Sequence, residues 1–174
     1  MTVSRYLRLL PGCVAALLAG CMADNPPAPA TPPPPSPQVM LNAIRAAGAG
    51  EQSVIDVSPL RDPGVATLQE AAQADERAGR FKQAADKLDQ ALRLSPESPD
   101  LLQDRAELAV RLQEFPAAER LAQESWSIGP RLGPLCARNW QTVVEIRLHD
   151  GDAAGAAKAR QQRQTCHKPG INRF

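Results

Sequence analysis

The stretch Gly79-Arg80-Phe81-Lys82-Gln83-Ala84-Ala85-Asp86-Lys87-Leu88-Asp89-Gln90-Ala91-Leu92-Arg93-Leu94-Ser95-Pro96 decides how the chain is read. Gly79 and Phe81 open it and Pro96 closes it. Ala84, Leu88, Ala91 and Leu92 recur at spacings that place one apolar stripe along a helix, here 81–94. Phe81, Ala84 and Pro96 return as Phe115, Ala118 and Pro130, each 34 positions later. A fixed period of this kind marks stacked units, each burying its apolar face only against its neighbours.

Working outward, Asp62-Pro63 reads as a helix cap followed by proline at the first helical position, opening a partner helix over 63–78 with Leu68, Ala71 and Ala72 inside. Asp75 falls where a large apolar residue is expected. Ser98-Pro99-Asp100 opens a second unit with Leu102, Ala106, Ala109 and Leu112 on its inner face. Arg105 occupies another core position there, and Gln113 replaces the turn glycine. Phe115, Ala118, Leu121, Ala122 and Trp126 make the returning helix. A third unit fits if the link grows through 131–134. Trp140, Val143 and Val144 then lie in its first helix, Gly151 at the turn, and Asp152, Ala153, Ala156 and Ala157 in its second.

This pattern resembles the tetratricopeptide repeat (TPR) family, whose consensus places a glycine, an aromatic two on, an alanine three further and a closing proline. The resemblance implies an all-α fold: a short solenoid of about three helical hairpins over 62–168, with 169–174 as a tail. It also implies peptide or protein binding in the groove lined by the first helix of each pair. Carried onto this chain, the groove positions form three rows. These are Gln69, Gln73, Glu76 and Arg77; Gln103, Asp104, Glu107 and Arg111; and Arg138, Gln141, Thr142 and Glu145.

Upstream, Arg5 and Arg8 precede a short apolar run ending in Leu18-Ala19-Gly20-Cys21. Residues 1–20 read as a signal peptide, and the last four positions resemble the lipobox of bacterial lipoproteins. That resemblance implies lipidation of Cys21 by acyl chains such as palmitate, with Cys13 removed. Met22 rather than Asp follows the cysteine. By the same likeness, this directs the protein to the outer membrane, facing the periplasm. Several acyl chains give stable anchoring where one would be reversible. Residues 22–37 are dominated by proline, which cannot donate a backbone hydrogen bond and favours an extended spacer. Val39, Met40, Leu41 and Ile44 allow a short helix over 38–47, stopped by Gly48 and Gly50. The whole of 21–61 is nevertheless read as a flexible tether, which at ~3.3 Å per residue could reach ~130 Å.

Composition narrows the chemistry. Aromatics are 3% of residues, so the core must be built from Ala and Leu. The formal charge is +1, falling to −1 once Arg5 and Arg8 are lost, which leaves no electrostatic footprint for nucleic acid. Lys158, Arg160, Arg163, Lys168 and Arg173 form an acid-free basic stretch, read as a solvated face and tail. Cys136 and Cys166 fall at the two ends of the third hairpin, where antiparallel helices bring them together as a disulfide in an oxidising compartment. The alternative, a metal site from these cysteines with His149 and His167, fits no zinc spacing. No catalytic triad, phosphate loop or metalloprotease motif is found, so the chain reads as a non-enzyme without cofactor.

The resemblances combine into a non-catalytic outer-membrane lipoprotein presenting a TPR scaffold to a periplasmic protein or peptide segment. The order of lipid, proline-rich spacer and short repeat domain is similar to the small lipoprotein activators of class A penicillin-binding proteins. A role in peptidoglycan synthesis is the leading expectation. The alternative is a pilotin or assembly factor of a type IV pilus or secretion system.

Overall fold

The computed structural model describes residues 33–51 and 62–167. These hold seven α-helices and no strand: α1 (Pro37–Ala49), α2 (Pro63–Arg77), α3 (Phe81–Leu94), α4 (Pro99–Arg111), α5 (Phe115–Ile128), α6 (Pro134–His149) and α7 (Ala153–Gln164). Cys21, the segment through residue 32, the link 52–61 and the tail from residue 168 lie outside the described residues. Among the described residues no helix is long and apolar enough to cross a membrane.

Helix starts follow local chemistry. Asp62 accepts the Gly64 N–H at 2.7 Å and Asp152 accepts the Gly155 N–H at 2.8 Å, each satisfying a donor that the first helical turn leaves open. The three hairpin turns are one structure repeated. Gly79, Gln113 and Gly151 take φ values of 75°, 64° and 75°. The next residue in each turn donates its N–H five residues back: Arg80 to Asp75 O, Glu114 to Ala109 O and Asp152 to Arg147 O, all at 2.8 Å. This is the left-handed helix termination that favours glycine. Gln113 adopts it without being one.

Alanines let the hairpins α2–α3, α4–α5 and α6–α7 pack closely. Val65, Ala72, Ala84, Ala85, Leu88 and Ala91 of the first pair close over Leu101 and Leu108 of α4. Leu102 and Ala106 meet Leu121 and Ala122 inside the second pair. Trp126 and Trp140 meet edge to face at 5.0 Å beside the buried Cys136–Cys166 disulfide, whose Cα atoms lie 5.6 Å apart.

The polar residues found at apolar consensus positions are cross-links. Asp75, 6% exposed, accepts from Arg80 at 2.6 and 2.8 Å and from Lys87, tying α2 to the turn and to α3. Lys87 first and Arg80 second hold its pKa below the ordinary carboxylate value. Arg105 reaches Asp89 of α3 at 2.8 Å and Glu114 of the following turn at 3.2 Å.

Helix α1 alters the organisation read from sequence. It lies within the range assigned to the tether, yet it packs on α4 and α6 as part of the folded body. Ser36 caps it, and Pro37 begins it. Met40 and Ile44 are fully buried against Ala109 and Val110 of α4, Ala118 of α5 and Ile146 of α6. Gly48 comes so close to α6 that an added Cβ would lie 2.7 Å from Arg138 Cγ, so a larger residue there would have to displace the Arg138 side chain. Met40 and Ile44 lie toward the end of α6 and Gly48 near its start, so α1 runs antiparallel to α6.

Candidate interaction site on the groove face

The first helices of the three pairs, α2, α4 and α6, turn their polar faces toward one groove. The sequence placed twelve candidate residues there, and their surroundings differ sharply. Gln103 and Thr142 are fully buried, as nearly is Glu107 at 1% exposed, and Gln141 and Glu145 are buried. Asp104, Arg111 and Arg138 are half-buried. In the first row Gln69 and Glu76 are half-buried, whereas Gln73 and Arg77 are exposed.

An internal polar network explains the burial. Arg45 of α1 donates Nε to Glu107 at 2.9 Å and a terminal nitrogen to Glu76 at 2.5 Å. Arg138 donates Nε to the other oxygen of Glu107 at 2.7 Å and Nη2 to Asp104 at 2.8 Å. Gln69 completes the circuit by donating to Asp104 at 2.9 Å. One chain of contacts thus runs from α2 through α4, α6, α4 and α1 back to α2. Gln103 donates to Glu107 and to Thr142, at 3.2 and 3.0 Å. Burial opposes the charge on Arg138, but Glu107 and Asp104 outweigh it and raise its pKa. Arg45 follows the same balance, with Glu107 and then Glu76 as its anions. A buried carboxylate shared by two guanidiniums escapes the cost of an isolated buried charge.

The third row is closed by α7. Gln141 donates to Glu145 at 2.6 Å and accepts from Arg163 of α7. Burial raises the Glu145 pKa, with Gln141, Arg160 and Arg163 pulling the other way. Arg163, one of the basic residues read as solvated, is therefore held by α6. At the far end of the groove Arg111 lies over the Phe81 ring at 4.4 Å, and His149 lies 4.2 Å from the Phe115 ring. Phe81 and Phe115 are repeat equivalents, so each of these two turn aromatics meets a side chain from the last turn of the first helix of the next unit.

What remains open is a cleft of about 840 Å³ between α1 and α2, floored by α4. Gln38, Leu41 and Arg45 form one wall and Gln73, Glu76 and Arg77 the other. Sequence reasoning missed the α1 wall. The Ser36-Pro37 cap followed by Met40, Leu41 and Ile44 was the signal for it. Among the described residues no three His, Cys, Asp or Glu side chains converge as metal ligands.

Repeated hairpins with identical turns and a polar face along their first helices define a TPR interaction scaffold. Residues 76–131 match the family model described as tetratricopeptide repeat. The solved globular C-terminal domain of P. aeruginosa LpoP is similar, with 30% sequence identity and a TM-score of 0.56. That similarity covers 60% of this chain and 99% of that domain, and the chain belongs with it to one family of tetratricopeptide-repeat proteins. No curated protein sequence matches.

Proposed function

We propose that this chain is a non-catalytic lipoprotein, lipidated at Cys21 and held at the periplasmic face of the outer membrane, whose TPR domain activates a class A penicillin-binding protein. The similarity to the LpoP domain over 99% of that domain's length carries the reading. The Leu18-to-Cys21 motif and the proline-rich run behind it support the membrane attachment, since both precede a body that begins at Pro37. The described residues present an open cleft between α1 and α2 with polar and charged rims, which suits protein recognition.

The test uses the mature chain in detergent, mixed with purified class A penicillin-binding protein of the same organism. Co-elution and faster glycan-strand polymerisation are expected. Separate elution of the two proteins and an unchanged polymerisation rate would overturn the reading, and selective capture of a secretin from the envelope fraction would favour an assembly-factor role instead.

A further inference from the structure

Among the described residues four large hydrophobic side chains are exposed, and three of them share one edge of the body. Leu94 and Ile128, 62% and 48% exposed, are the last residues of α3 and α5 and stand one 34-residue period apart. Leu132, 47% exposed, follows in the link to α6. An added Cβ at Gly64 would meet Leu94, and one at Gly129 would meet Pro99. The end of each of these second helices therefore lies against the start of its first helix, opposite the turns. Half-buried Trp126, two residues before Ile128, meets Trp140 and carries the Arg131 guanidinium 3.8 Å from its ring centre. Single exposed aliphatic side chains need no explanation. A row of them beside tryptophan and arginine has the composition of an interface centre.

Helix α1 sets which way that edge faces. Met40 and Ile44 pack near the ends of α4 and α6, whereas Gly48 lies beside Pro134 and Arg138 at the start of α6. Ser36 and Pro37, at the head of α1, accordingly lie on the side of the turns. The chain toward Cys21 leaves the body there. A body moored from its turn side presents the opposite edge to the periplasm, away from the anchoring membrane.

We infer that the edge formed by Leu94, Ile128 and Leu132 docks an apolar surface of the penicillin-binding partner, with Ile128 and Leu132 beside Trp126 at its centre. The inference rests on the scaffold reading above and names the surface that scaffold uses. It moves recognition from the groove, which α1 closes over α4 and α6, to the edge opposite the turns. These side chains stand on helix ends already fixed by the packing of the repeats. Covering them with the partner's aliphatic or aromatic side chains removes apolar surface from water with little further ordering of this chain.

The experiment uses the mature full chain in detergent and the purified synthase. The double variant Ile128→Glu/Leu132→Glu puts two carboxylates at the centre of the row. It lowers affinity for the synthase by ~10-fold or more, and the stimulation of polymerisation falls with it. Val39→Glu makes the same exchange at the fourth exposed hydrophobic, in the first turn of α1, and binds as wild type does. The replaced side chains are exposed, so both variants keep the wild-type thermal melt. A lowered melt in the double variant would show that the chain itself covers the row and would overturn the inference. The link 52–61 would then be the cover, since its flanking residues reach the same edge, Glu51 beside His167 and Asp62 capping α2. A wild-type dimer in sedimentation that the double variant dissolves would assign the row to a second copy. Flotation of the Cys21→Ser chain with phosphatidylglycerol vesicles, lost in the double variant, would assign it to lipid. Either result overturns the inference, as does an equal loss of synthase binding from Val39→Glu. Synthase captured alike by wild type and the double variant sinks this edge and leaves the scaffold reading intact. Absence of capture by wild type sinks the scaffold reading and this inference with it.

Discussion

Arg45 Nε lies 2.9 Å from Glu107 Oε2, joining two residues 62 positions apart in the chain. The bond fastens a helix from outside the repeats onto the middle unit. Glu107 is 1% exposed and serves Arg45, Arg138 and Gln103 together, while the Arg45 side chain is 47% exposed. The two ends are therefore unequal. Arg45→Ala leaves Glu107 with Arg138 and costs about 1–2 kcal/mol, whereas Glu107→Ala removes the carboxylate that two guanidiniums share, leaving Arg45 on Glu76 and Arg138 on Asp104, and costs about 3 kcal/mol. Urea unfolding of the two single variants and the double variant measures both costs. Equal losses from the two substitutions would contradict the network as described.

Gln113 holds a φ of 64° where the equivalent turns use Gly79 and Gly151. A side chain in the left-handed region costs about 1 kcal/mol that glycine avoids. Gln113→Gly should accordingly stabilise the domain by about 0.5–1 kcal/mol, the turn strain it relieves being partly offset by the larger entropy of an unfolded glycine. Gly79→Ala and Gly151→Ala should destabilise by a similar amount. Thermal melts of the three variants test the sign in each case.

The Cys136–Cys166 disulfide closes a sequence separation of 30 residues around α6 and α7. Loop-closure entropy assigns such a link roughly 3 kcal/mol. Reduction should lower the unfolding free energy by up to that amount, with protection from hydrogen exchange lost first in α7, which has a neighbour on one side only. Uniform loss across all seven helices would show that the last hairpin is not separately stapled.

Two carboxylates give the stability curve opposite slopes. Asp75 has a lowered pKa, so its contribution is present above the ordinary carboxylate value and is lost as pH falls through the lowered one, below about pH 4. Glu145 has a raised pKa, so its neutral form is the favoured one. Its contribution is complete below the ordinary value and is lost as pH rises through the raised one. Glu145→Gln should therefore raise the melting temperature at neutral pH, with the gain shrinking toward pH 4. Asp75→Asn should lower it at neutral pH, with the loss shrinking as the solution is acidified. Melts from pH 3.5 to 7.5 distinguish the two patterns.

With α1 docked, the span between Cys21 and the body is the 15 residues from 22 to 36, which at ~3.3 Å each cannot exceed about 50 Å, against the ~130 Å available if the body began at residue 62. Neutron reflectometry of the lipidated chain on a supported bilayer should place the inner edge of the folded layer within that shorter distance. Ile44→Asp buries a charge where Ile44 is fully enclosed, frees α1 and lets the layer move outward. A wild-type layer already beyond ~50 Å would show that α1 does not moor the body.

Much of the repeat architecture was legible because it is local. The apolar stripe of 81–94 and the caps at Asp62 and Asp152 each depend on residues within a turn or two of one another, and the 34-residue recurrence of Phe81, Ala84 and Pro96 repeats such a local pattern at a fixed period. The longer third link through Pro134 was legible for the same reason. Asp75 and Arg105 read as faults in that pattern because their partners lie off their own helices, Lys87 and Asp89 on α3 and Glu114 in the following turn.

The sequence by itself determined the six helices of the repeats, their pairing into hairpins, the stacking order and the position of the disulfide, since helical period, capping and fixed spacing all act over short stretches of chain. Only the tertiary structure decided the state of the groove. Whether Glu107 faces water or a neighbour depends on where Arg45 comes to rest, 62 residues away in sequence, and whether Gln103 does depends on Thr142, 39 residues away. Polar residues along a helix face look the same in sequence whether solvent or an ion-pair network satisfies them. The difference lies in the packing of α1, which becomes favourable only once α4 and α6 have formed the surface that receives its apolar side chains.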